Sequence, residues 1–169
     1  MKGIIIYIKL PAYLRQWLVN SLGYPVRFPP RSFENLLLTR LCQRRPSSAP
    51  IETSCPMGNV PVVLPDNSYH RPEFYNYLGT KGAREMARAI ENLFRLHLWS
   101  ECSYLCARPG LLNSGLNDWC RAQGIDEVYR EAVRQKFYRM RSLYNGTTIR
   151  LGKKYSKNTA IKHDKNEQH

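Results

Sequence analysis

Arg130, Arg134 and Arg141 stand four and seven residues apart in a stretch, 127–144, that holds neither Gly nor Pro. On a helix turning about 100° per residue they fall within about 40° of one another. Guanidinium groups gathered in this way suit phosphate oxygens and base edges. Arg139 adds a further charge, and Lys153 and Lys154 follow the helix. Tyr129, Val133, Phe137, Met140 and Tyr144 are spaced four, four, three and four apart. They form one apolar stripe beside the arginines. One edge of the helix is thus expected to pack and the next to meet an anion. The same pattern also suits an ordinary amphipathic helix that closes a core.

A second basic set lies near the other end: Lys9, Arg27, Arg31, Arg44 and Arg45. The whole chain carries 26 Lys and Arg against 13 Asp and Glu, a net +13 over 169 residues. Residues 1–50 have eight basic side chains and one acid, Glu34, whereas residues 51–110 have six of each. A neutral middle between two positive ends points to a polyanion, with nucleic acid first and an anionic membrane second. No apolar run nears the roughly 20 residues of a membrane span. The longest β-branched run, Ile4 to Ile8, is also short for a signal segment. A cytoplasmic protein with no membrane partner is expected.

Other chemistry lacks a complete residue set. Five cysteines (42, 55, 102, 106 and 120) include no CxxC pair. Cys102 and Cys106 are one helical turn apart and His97 precedes them, but nothing supplies a fourth ligand. Buried free thiols are expected, with no metal and no cofactor. No P-loop, GxSxG, HExxH or GxGxxG occurs. Tyr138 is flanked by Arg134, Arg139 and Arg141, yet the full pattern of a tyrosine recombinase or relaxase is missing. The expectation is a binding protein rather than an enzyme.

The elements that must position these residues are mainly α. About five helices are expected, with a short N-terminal strand and a small hairpin or wing near 147–151. Residues 3–10 read as a strand, since they are β-branched and aromatic. Pro11 opens a helix with Leu14, Trp17, Leu18 and Leu22 on one face. Ser32 can cap the next helix, which has Phe33, Leu36, Leu37 and Leu41 on its packing side. VPVVL at 60–64 suits an edge strand because of Pro61. The segment 69–77 is aromatic-rich, with Tyr69, Phe74, Tyr75 and Tyr77 beside Arg71. Thr80 can cap the longest helix, about 81–107, whose apolar face is Ala83, Met86, Ala87, Ile90, Phe94 and Leu98. Gly124 should end a short helix, and Asp126 should cap the basic one.

Four units follow. Residues 1–46 form a strand-helix-helix unit and 47–79 an aromatic- and Pro-rich connector. Residues 80–151 form a helical unit, and 152–169 a disordered basic tail that adds salt-sensitive phosphate attraction.

Two resemblances bear on function. Ile6, Ile8, Leu10 and Pro11, the apolar positions of the first helix, and Arg31-Ser32 opening the second resemble the ribbon-helix-helix family of DNA-binding proteins. That resemblance implies a homodimer whose paired strands lie in the major groove. Tyr7 and Lys9 would then face the bases, and Ser32 would sit at a phosphate. Residues 111–144, a short helix, a Gly turn and a basic second helix, resemble a helix-turn-helix unit. The end of that stretch, IDEVYREAVRQKFYRMR, is also similar to small phage and mobile-element proteins.

The sequence therefore leads to a DNA-binding regulator, of transcription or of a mobile element, that contacts phosphates through its last helix and tail. The first alternative is a structural or adaptor protein that binds an acidic protein partner. The second is a single-stranded RNA binder that uses the 69–77 aromatics.

Overall fold

The computed structural model describes residues 3–146. The expected wing at 147–151, the 152–169 tail, Lys153 and Lys154 lie outside the described residues. The fold is mainly α, with five α-helices and one two-stranded antiparallel sheet. In chain order the elements are β1 (Ile5–Lys9), α1 (Ala12–Leu22), α2 (Phe33–Leu41), β2 (Asn59–Val63), α3 (Thr80–Cys102), α4 (Leu112–Ala122) and α5 (Arg130–Gly146). Short 3-10 turns at Ser103–Ala107, Pro109–Leu111 and Glu127–Tyr129 join the last three helices.

The pleat of β1 points Ile6 and Ile8 into the core and leaves Ile5, Tyr7 and Lys9 on the other side. Its partner is β2 of the same chain, with Ile5 opposite Val63 and Lys9 opposite Asn59. β1 thus finds one strand neighbour within the chain, and its other edge carries no strand among the described residues. Pro61 stands opposite Tyr7. Leu64 N–H donates to Ile4 O at 2.8 Å, and Leu10 N–H donates to Gly58 O at 3.2 Å. Ladder bonds to β1 thus fall on alternate pairs that skip Pro61. On its far edge β2 meets Val26, whose N–H donates to Pro61 O and whose O accepts from Val63 N–H, both at 2.9 Å. Proline is tolerated in this flanked strand because its missing N–H removes no ladder bond.

Helix α3 is central. Met86, Ile90, Phe94 and Leu98 are all fully buried, as their 3.6-residue spacing requires. Gly79 rather than Thr80 occupies the position before the first turn, and the α-helix stops at Cys102 before continuing as a 3-10 turn. Trp17 of α1 and Trp119 of α4 meet Phe94 edge-to-face at 5.2 and 5.9 Å between ring centres. Buried residues from β1, β2 and all five helices form one cluster.

Helix α2 departs from its expected face. Leu37 and Leu38 are buried, while Phe33 and Leu36 are 67% and 59% exposed. Three consecutive leucines make two faces equally apolar, so periodicity alone could not choose between them. Ser32 caps α2 as expected, its Oγ accepting from the Asn35 N–H at 3.2 Å.

Candidate nucleic-acid interface

The last helix pair forms as the sequence predicts. Gly124 takes the left-handed conformation, φ 69°, and Ile125 N–H donates to Cys120 O at 2.9 Å to close α4. Asp126 does not cap α5. Its carboxylate instead accepts from Gln16 Nε2, and its N–H donates to Gln16 Oε1 at 3.0 Å. A 3-10 turn intervenes, so α5 begins only at Arg130.

That start changes the charge on α5. Arg130 Nη1 lies 3.1 Å from Glu127 Oε1, with the side chain only 19% exposed. Arg134 pairs with Glu131 one turn on. The two leading arginines are therefore neutralised by glutamates three residues earlier. Arg139 and Arg141 have no carboxylate at ion-pair distance among the described residues; Arg139 is exposed and Arg141 half-buried. Asp126, Glu127 and Glu131 make the leading end of the unit acidic, the end that a recognition helix turns toward phosphates.

The N-terminal basic set stands differently. No carboxylate is at ion-pair distance from Lys9, Arg27, Arg31, Arg44 or Arg45 among the described residues. Lys9, Arg27, Arg31 and Arg44 are exposed. Arg31 takes a positive φ of 66° just before the Ser32 cap. The Ser32 Oγ accepts the capping bond, which leaves its O–H able to donate.

Arg44 and Arg45 lie against the aromatic segment, which the sequence had placed in a separate unit. An antiparallel bridge between Gln43 and Tyr77 clips the two stretches together. Arg44 lies 5.5 Å over the Tyr75 ring and Arg45 5.8 Å over the Tyr77 ring. Arg45 also donates to Pro50 O at 2.6 Å and to Asn76 Oδ1 at 3.4 Å. Tyr75 stacks on His70 at 3.8 Å, so neighbours occupy the ring. Phe74, under Arg71, is 56% exposed, and Tyr69 is 96% exposed.

These residues border a cleft of about 710 Å3 lined by Ile5, Arg44, Arg45, Ile51 and Phe74 among others. Glu52 and Glu73 also line it, and Arg71 lies 3.6 Å from Glu73. A second cleft of about 370 Å3 shares Ile5 and Arg45 and reaches Tyr7, Tyr77 and Thr80. Thr80, Arg84 and Arg88 follow at four-residue intervals along α3. This row leads outward from the cleft. Lys81, Arg84 and Arg88 are exposed and have no ion pair among the described residues. The sequence reading missed this row, although its i, i+4 spacing was visible beside the apolar face of the same helix.

His97 is a structural histidine. Its Nδ1 accepts from Trp17 Nε1 at 3.0 Å, which leaves Nε2 to carry the proton of the neutral ring. Cys42, Cys102 and Cys120 are buried free thiols. Burial pushes them up to about 12, about 12 and about 11. Among the described residues no three His, Cys, Asp or Glu side chains gather as a metal site, and no helix is long and apolar enough to cross a membrane. No protein-family model, curated protein or solved structure matches this chain.

Proposed function

We propose that this protein binds nucleic acid and that its principal surface is the cleft beside Arg44 and Arg45, extended by Lys81, Arg84 and Arg88. The observation that carries this reading is the contrast in pairing. Among the described residues Arg27, Arg31, Arg44, Arg45, Lys81, Arg84 and Arg88 have no carboxylate partner, whereas Arg130 and Arg134 of α5 each have one. An unpaired exposed guanidinium can take a phosphate without first giving up an ion pair. Exposed Tyr69 and Phe74 beside this surface offer ring faces on which unstacked bases can lie. The preferred ligand is therefore a single strand, RNA or DNA, held by its backbone and by sequence-tolerant stacking.

A second reading keeps the duplex-DNA regulator of phage or mobile-element type, with α5 as the reading helix. Gln135 and Arg139 favour it, since both are exposed and stand four residues apart on the outer face of α5. The acidic leading end of the unit and the paired Arg130 and Arg134 oppose it.

Fluorescence anisotropy with labelled single strands and duplexes, at several salt concentrations, separates the two. The first reading expects tighter binding to single strands. Four phosphate contacts would give a log–log salt slope of about −3. Tighter duplex binding moves the assignment to α5. No binding to either ligand at low salt removes both readings.

A further inference from the structure

We propose that a third cleft, between the outer face of α1 and the α4–α5 turn, binds a small ring-bearing anion: a phosphate or carboxylate carried on a flat apolar body. The cleft holds about 520 Å3, the size of a small-ligand site. Its lining shares no residue with the Arg44 cleft. The proposal therefore stands apart from the nucleic-acid reading.

Arg15 is the one charged side chain in its wall, and no Asp or Glu lines it. The nearby Asp126 carboxylate is engaged by Gln16. Among the described residues Arg15 has no ion pair, and its Nε is buried with no acceptor. The Nη groups are not enclosed in this way and have no partner among the described residues, so it is these that an anion in the cleft would meet.

The rest of the wall suits a ring. Val19, Val60 and the rings of Tyr24 and Tyr129 provide apolar surface. The side-chain amides of Asn20 and Asn59 and the Tyr129 hydroxyl make no hydrogen bond to protein among the described residues, so they are free for polar edges of a ligand. Gly124 keeps one side open. A Cβ there would stand 3.1 Å from Oδ1 of Asn20, another residue of the wall.

The test is titration of the full chain with AMP, benzoate, adenosine and inorganic phosphate at millimolar concentration. Backbone amide NMR shifts would be followed at Gly124 and Tyr129. AMP and benzoate distinguish a phosphate from a carboxylate ligand. The expected result is saturable shifts with at least one of them, and binding at least about tenfold weaker for adenosine and for inorganic phosphate. Arg15→Gln should weaken the ring-bearing anion by about tenfold, while Arg44→Ala leaves it unchanged. Should Arg15→Gln fail to fold, Asn59→Ala carries the same comparison with a smaller loss. The proposal is overturned if neither ring-bearing anion shifts these amides. It is equally overturned if adenosine binds as well as AMP, or if the variants bind like the parent.

Discussion

Lys136 of α5 places its ammonium 2.6 Å from the Glu91 carboxylate of α3. Both side chains are about one-fifth exposed, at 20% and 21%. The Tyr13 hydroxyl of α1 donates to the other Glu91 oxygen at 2.8 Å, and Lys136 lies 5.4 Å over the Tyr13 ring. Arg95, one turn along α3, approaches Glu91 at 3.4 Å. One carboxylate therefore ties three helices and accounts for the placement of Lys136 between them.

Glu91→Gln should cost about 1–3 kcal/mol, because it leaves the Lys136 ammonium half-buried without its counter-charge. In a double-mutant cycle of Glu91→Gln and Lys136→Met, read by urea denaturation, the coupling should be about 1 kcal/mol. Additivity within about 0.3 kcal/mol would show that the pair contributes nothing beyond its separate parts.

Phe94 is fully buried and touches the rings of Tyr13, Trp17 and Trp119. Phe94→Ala should cost about 3–5 kcal/mol through lost transfer energy and the cavity left behind. Phe94→Leu should cost about 1.5 kcal/mol or less, since it keeps most of the volume. Equal losses in the two variants would contradict a packing role.

The thiols make a pH prediction. Burial raises Cys42, Cys102 and Cys120 from an ordinary 9.0 to about 12, about 12 and about 11. Burial also raises Tyr13, with its hydrogen bond to Glu91 adding to the shift. Each group holds its proton more tightly in the folded chain, so this stability is fully present below pH 9 and is lost as pH rises toward 12. Unfolding free energy should fall steadily over that window. In native protein a thiol reagent should modify exposed Cys55 first and spare the three buried thiols. Rapid reaction of all five would rule out their burial.

Local signals carried far in this chain and distant ones did not. The apolar spacing of α3, the Gly124 turn and the Ser32 cap were legible because each depends on residues within one or two turns. The pairing of β1 with β2 spans about 50 residues of loop and helix, beyond the reach of any local pattern, although Pro61 marked 60–64 as an edge strand. Arg44 and Tyr75 lie 31 residues apart, so no local pattern joins them. The neutralised Arg130 and Arg134 were readable in principle, with Glu127 and Glu131 three residues before them. They were missed because the cationic edge was drawn from the basic residues alone. Gln16 diverts Asp126 from its capping role across 110 residues, and nothing local announces it.

We propose that nucleic acid meets the Arg44 surface and the α3 row rather than the last helix. The most direct measurement compares two variants by anisotropy against the same labelled single strand. Arg44→Ala/Arg84→Ala/Arg88→Ala should weaken binding about a hundredfold and reduce the salt slope by about 2, while circular dichroism stays unchanged. Arg130→Ala/Arg134→Ala should leave both affinity and slope within about twofold of the parent. The opposite ranking, with the α5 pair dominant and the triple variant silent, would contradict the account and return the interface to the last helix.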